Sequence, residues 1–218
     1  MRSFLKSAWG TAFGLVLTLC FTAAVLADSG VVTEGAQNWF GVKTLDPNRT
    51  GNVARVGGIV FSSKVASTAV TNTTTETLFD QNYAIPANSL NAGDVLRIRF
   101  QGIAPATNST DTLTIKLYIG GLTGTALITS AAVDVANNNT FQGECDLVVR
   151  TAGSSGTFTA TSWWQDPGAA GATTPKTAFN ASTTLNTTVS QTIGVSATWS
   201  VANAGDSCRL DVLNISVN

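Results

Sequence analysis

The clearest pattern in the chain lies between Tyr83 and Gly102, YAIPANSLNAGDVLRIRFQG. Pro86 lacks an N–H for a ladder and ends one strand. Asn88, Asn91, Gly93 and Asp94 then accept turn geometry, after which Leu96, Ile98 and Phe100 alternate with Arg97, Arg99 and Gln101. Such alternation predicts a strand with one buried and one wet face. The same pattern recurs. From Asp111 to Ile119, Leu113, Ile115, Leu117 and Ile119 alternate with Thr112, Thr114, Lys116 and Tyr118. From Thr140 to Thr151, Phe141, Cys145, Leu147 and Val149 oppose Glu144, Asp146 and Arg150. From Thr157 to Trp164, Phe158, Ala160 and Trp164 share a side, which turns Trp163 to the other.

A long strand is predicted with Val189, Ile193, Val195, Ala197, Trp199 and Val201 facing inward. In the last segment Cys208, Leu210 and Val212 have one parity and Leu213, Ile215 and Val217 the other, the phase shift a β-bulge produces. Residues 165–183 contain Pro167, Pro175 and several Gly and Ala without period, and read as the longest loop. Roughly eight or nine strands from Gly57 onward, spaced by about ten to twenty residues, predict an all-β fold. The expected architecture is an antiparallel two-sheet sandwich, jelly-roll-like, over residues 57–218, preceded by an arm at 28–56.

The N-terminus differs. Arg2 and Lys6 lead an apolar run from Ala8 to Leu26 that closes at Ala27 before Asp28. Residues 1–27 therefore read as a secretory signal peptide, or an uncleaved anchor helix that would be the chain's one membrane contact. This predicts export. Its removal takes Cys20 away and leaves Cys145 and Cys208, either one disulfide or two buried thiols.

With 11% charged residues and a formal net charge of -1, the chain has no basic face for nucleic acid. It contains no His, which excludes Ser-His-Asp and Cys-His catalysis and His-containing metal sites. The carboxylates Glu76, Asp80, Asp94, Glu144 and Asp146 would be the material for glycoside hydrolysis, yet no pair stands at a telling spacing. Asp134 with Asn137, Asn138 and Asn139 offers oxygens to calcium without the acidic density of a dedicated loop. No catalytic, cofactor or metal residues are assigned. Trp163 is the candidate surface contact, for a glycan or a protein partner, weighed against simple packing under the 165–183 loop.

Three groups of segments bear a resemblance: Val70 to Leu78 with Ile85 to Leu90 and Gly93 to Ile98; Leu113 to Gly121 with Leu147 to Gly156; and Thr192 to Asn203. Together they resemble jelly-roll virion structural proteins of tailed bacteriophages. The resemblance implies a non-enzymatic domain that assembles with copies of itself, as in a trimer, or with virion or cell-surface proteins. It also implies that strands from Leu78, Val95, Thr112, Thr140, Thr157, Thr187 and Cys208 correspond to strands B to H of that fold. Strands E and H being neighbours there, Cys145 and Cys208 would come within bonding reach. The signal-like residues 1–27 have no counterpart in that family.

Overall fold

The structure is a computed structural model and describes residues 58–108, 110–168 and 175–217. The expected signal segment 1–27 and arm 28–56 lie outside the described residues. The strands are β1 (Gly58–Ser62), β2 (Val70–Thr71), β3 (Thr77–Ile85), β4 (Val95–Ala106), β5 (Thr112–Ile119) and β6 (Thr125–Thr129). They continue as β7 (Val133–Asp134), β8 (Asn139–Thr151), β9 (Thr157–Gly168), β10 (Lys176–Thr184), β11 (Gln191–Trp199) and β12 (Ser207–Val217). A larger sheet runs β1-β12-β4-β8-β9-β10, with β2 also on β12, and a smaller one runs β3-β11-β5-β6, with β7 on β5. All pairings are antiparallel. The two-sheet sandwich expected from alternation is the fold.

Side-chain parity explains the core. Leu96, Ile98 and Phe100 of β4, Leu147 and Val149 of β8, Phe158 and Ala160 of β9, and Leu213 and Ile215 of β12 are buried from the large sheet. Leu113, Ile115, Leu117, Ile193, Val195, Ala197 and Trp199 meet them from the small one. Each such aliphatic side chain contributes about 1.5–3 kcal/mol on burial. The Trp199 indole N–H, buried with it, donates to the Val70 carbonyl at 3.1 Å. The predicted turns are also present, with Asn88, Gly93 and Asn138 at φ 60, 91 and 66.

Two glycines shape the inner face where β4 and β8 pair. Gly102 stands opposite Phe141, and Gly143 opposite Phe100. A Cβ on Gly102 would overlap the Phe141 ring and the Arg209 carbonyl oxygen. A Cβ on Gly143 would lie 2.7 Å from the Phe100 ring and 3.0 Å from Ile128 Cδ1. Each aromatic ring thus fills the space its partner leaves, and Phe141 reaches across to stack on Phe79 of the small sheet with centroids 6.4 Å apart.

The bulge read from the phase shift in the last strand lies where β12 slips register on β4, between Leu210 and Val212. It places Leu210 and Leu213 both inside. Three expectations need correction. Most of the loop expected at 165–183 is strand: β9 continues to Gly168 and β10 begins at Lys176, a ladder that small and polar side chains conceal from period analysis. Val189 and Val201, expected inside, are about half exposed at 49% and 48%, because β11 ends short of them. Finally, the strands of Cys145 and Cys208 are not neighbours, since β4 lies between β8 and β12.

Candidate contact surface around Trp163

The outward positions of the large sheet form rows across it. One runs from Asn214 on β12 through Arg99 on β4, Glu144 on β8 and Trp163 on β9 to Thr177 on β10. A second joins Val212, Gln101, Gln142 and Gln165. A third joins Ser216, Arg97, Asp146, Thr161 and Phe179. These rows exist because residues opposite one another in register share a face, with side chains close enough to pair.

The charges in these rows are paired: Arg99 to Glu144 at 2.7 Å and Arg97 to Asp146 at 2.9 Å. Both pairs are about half exposed, so solvent screening leaves each of them little weight in stability. Asp146 raises the Arg97 pKa further, by hydrogen bond and charge, so Arg97 stays a cation. Gln142 Nε2 donates to Gln165 Oε1 at 2.6 Å. A shallow groove of about 130 Å³ runs along the first two rows, bordered by Trp163, Glu144, Arg99, Gln142, Gln101 and Asn214. Trp163 is half-buried and keeps part of its ring on this face. Phe179, 67% exposed, shares the face diagonally from it.

Sequence reading missed Phe179 because it fell in the expected loop. In the structure Ala178 and Asn180 are less exposed than Lys176, Thr177 and Phe179, but no alternation of side-chain polarity announces this in the sequence. Trp164 faces inward as parity requires, 8% exposed. Its indole N–H donates to Asp166 Oδ1 at 3.0 Å, and the Ala131 N–H donates to the same oxygen at 3.2 Å. Lys176 pairs with the other carboxylate oxygen. Asp166, unnoticed in the sequence, thereby ties β9 to β10 and to the β6–β7 turn.

Cys145 and Cys208 are both buried and free. Cys145 stands opposite Ile98 of β4, whereas β4 meets the Cys208 end of β12 between Ile103 and Ala106. At about 4.8 Å per strand and 3.3 Å per residue the two sites are far beyond disulfide reach, so the pairing implied by adjacent strands does not form. Burial pushes the Cys145 thiol up to about 11 and the Cys208 thiol up to about 12.

The remaining carboxylates weighed for glycoside hydrolysis, Glu76, Asp80 and Asp94, are occupied. Glu76 accepts from Ser196 Oγ at 2.6 Å and from Lys116 Nζ at 3.0 Å. Burial raises its pKa, but hydrogen bonds from Ser196, Lys116 and Tyr118 outweigh that and leave it lowered. Asp80 accepts from Thr68 Oγ1 and N–H, and Asp94 from the Asn91 N–H at 2.8 Å. Asp80 borders a larger depression, about 210 Å³, but its carboxylate is spent on Thr68 and no tryptophan lies there. The Asn137 side-chain oxygen accepts from the Thr107 N–H at 2.8 Å. Among the described residues no three His, Cys, Asp or Glu side chains gather as metal ligands would.

No family model matches this chain. No curated protein matches it either. Solved structures do. The lectin UEA-II in complex with galactose is 11% identical over 73% of this chain and 85% of its own, with a TM-score of 0.37. The winged bean acidic lectin in complex with methyl-α-D-galactose is 13% identical over 68% and 81%, with a TM-score of 0.31. The infectious bursal disease virus Gt strain is 15% identical over 81% of this chain, which spans 37% of the viral chain, with a TM-score of 0.32. TM-scores below 0.5 decide neither family nor function.

Proposed function

We propose that this chain is a non-enzymatic, exported or virion-associated β-sandwich that works by surface contact, in assembly with copies of itself or attachment to virion or cell-surface proteins. The observation that carries this reading is the outer face of the large sheet. There two aromatic side chains, Trp163 and the strongly exposed Phe179, stand beside rows of mutually neutralised charges. Aromatic side chains next to compensated polar groups suit a contact surface, since little uncompensated charge has to be desolvated. Glu144, Asp146, Glu76 and Asp80 are each engaged by an ion pair or a hydrogen bond, which supports the non-enzymatic part of this reading. The tailed-bacteriophage origin rests on the sequence resemblance alone.

Light scattering on the full chain tests the reading. Assembly at micromolar concentration that falls at least tenfold in affinity in Phe179→Ser, with folding unchanged, supports it. A monomer that binds no component of the native particle or producing cell surface refutes it.

A second reading, saccharide binding, is favoured by the groove itself. A tryptophan ring edged by Gln142, Glu144, Arg99, Gln101 and Asn214 supplies a stacking platform beside amide, carboxylate and guanidinium partners for vicinal hydroxyls. Sugar-array binding that disappears in Trp163→Ala but survives in Phe179→Ser selects this reading over the first.

A further inference from the structure

Two loops at one end of the sandwich carry the chain between sheets. One connects β4 in the large sheet to β5 in the small one, and the other, residues 200–206, connects β11 in the small sheet to β12 in the large one. Each loop brings in one buried carboxyl: Asp111, 6% exposed, and Asp206, fully buried. Asp206 Oδ1 accepts from the Asn108 N–H at 2.6 Å, and the Asp206 N–H donates to the Asn203 carbonyl at 3.1 Å. Asn203 Nδ2 in turn donates to Asp111 Oδ2 at 3.2 Å. Asp206 Oδ2, equally buried, receives no hydrogen bond from any donor among the described residues. What stands against Asp206 is the other carboxyl, Asp111.

Two ionised carboxylates in contact and out of water repel strongly, and a buried oxygen without a donor adds the cost of its lost hydration. A single proton cures both faults, converting the repulsion into a short O–H···O⁻ bond. We propose that Asp111 and Asp206 share one proton, and that the resulting hydrogen bond is a pH-sensitive clasp between the two crossover loops.

The surroundings favour a proton over a metal cation. Asn203 turns its N–H₂ toward the pair, whereas a hard cation wants six or more oxygens, and among the described residues no third acidic side chain joins. Neither carboxyl has an ion-pair partner among the described residues. Of the other titratable groups, Cys208 faces the pair from β12 as a buried, neutral thiol. Burial raises the Asp206 pKa, the Asn108 hydrogen bond lowers it, and Asp111 raises it again, for a net rise.

The sign follows from that rise. A carboxyl whose folded pKa exceeds its unfolded value of about 3.9 binds its proton more tightly when folded. Its stabilising effect is full below the unfolded value and is lost as pH rises through the folded one. The clasp is closed in acid and loosens as pH rises through that raised folded pKa.

The test is the melting temperature of the full chain from pH 4.5 to 8, for wild type, Asp206→Asn and Asp111→Asn. An amide keeps the shape, supplies a permanent donor and carries no charge. At pH 8 at least one variant should melt a few degrees above wild type, with the gap narrowing as pH falls. The carboxyl carbon NMR signal of Asp206 in the wild-type chain should titrate above the ordinary Asp range, with the Asp111 carbon moving in the same step, which covers the case of a variant that does not fold. A gap that is the same at every pH, or independent titration in the ordinary range, overturns the proposal. So does millimolar calcium that raises the wild-type melting temperature and leaves both variants unmoved, since a cation would then hold the pair.

Discussion

Replacing either inner-face glycine of the β4–β8 ladder by alanine perturbs the same layer of the core, but the structure predicts different outcomes on repair. At Gly143 the new methyl would lie 2.7 Å from the Phe100 ring and 3.0 Å from Ile128 Cδ1, so every close neighbour is a side chain. Normal carbon contacts need about 3.5–4.0 Å, so the ring must retreat by roughly 1 Å in a close-packed interior. Overpacking of this kind costs about 1–3 kcal/mol. Removing a strand glycine returns about 0.5–1 kcal/mol of backbone entropy, leaving Gly143→Ala destabilised by about 1–2 kcal/mol. Phe100→Leu opens the same space, so the double variant Gly143→Ala/Phe100→Leu should be more stable than the sum of its parts by about 1–2 kcal/mol.

At Gly102 the obstacles are the Phe141 ring and the Arg209 backbone carbonyl, and the second cannot be trimmed by mutation. Gly102→Ala should therefore cost about 3 kcal/mol or more, and Phe141→Leu should recover little of it. Urea unfolding followed by tryptophan fluorescence, run as two double-mutant cycles, measures both couplings. Equal rescue at the two sites, or single variants within about 0.5 kcal/mol of wild type, would refute the packing argument.

Asp166→Ala strips an acceptor from the Trp164 indole N–H and the Ala131 N–H together and leaves Lys176 without its carboxylate, so a loss of about 2–4 kcal/mol in denaturant unfolding is expected. Stability unchanged within error would show that Asp166 ties nothing. Cys145 and Cys208, buried thiols pushed up to about 11 and about 12, should resist a thiol reagent at pH 8 in the folded chain and label only on unfolding. A melting temperature that falls on adding reductant would instead reveal a bridge.

The legible part of this fold is the part where large and small polarity alternate. Leu96 to Gln101, Leu113 to Ile119 and Phe141 to Val149 declare their faces because most inward positions are aliphatic or aromatic while most outward ones are polar. The bulge near Asp211 showed through because Leu213, Ile215 and Val217 are as apolar as Cys208 and Leu210. Strand β10 did not, since Ala, Asn, Ser and Thr look alike on both faces and the ladder itself, made of backbone groups, leaves no trace in side chains. Strand order was likewise hidden. Nothing in the residues of β12 says that it lies outside β4 instead of between β4 and β8, and the cysteine pairing failed on that point. Trp163 was placed correctly by parity. The clasp of Asp111 and Asp206 was invisible, being made by loops far apart in sequence and joined only by the fold.

Hydroxyl-radical footprinting of the full chain, free and in its native assembly, tests the contact surface most directly. Trp163 and Phe179 should lose reactivity on assembly, while Val189 and Val201, exposed away from these rows, keep theirs. Unchanged labelling of Trp163 and Phe179, with protection appearing elsewhere, would contradict the assignment of this face.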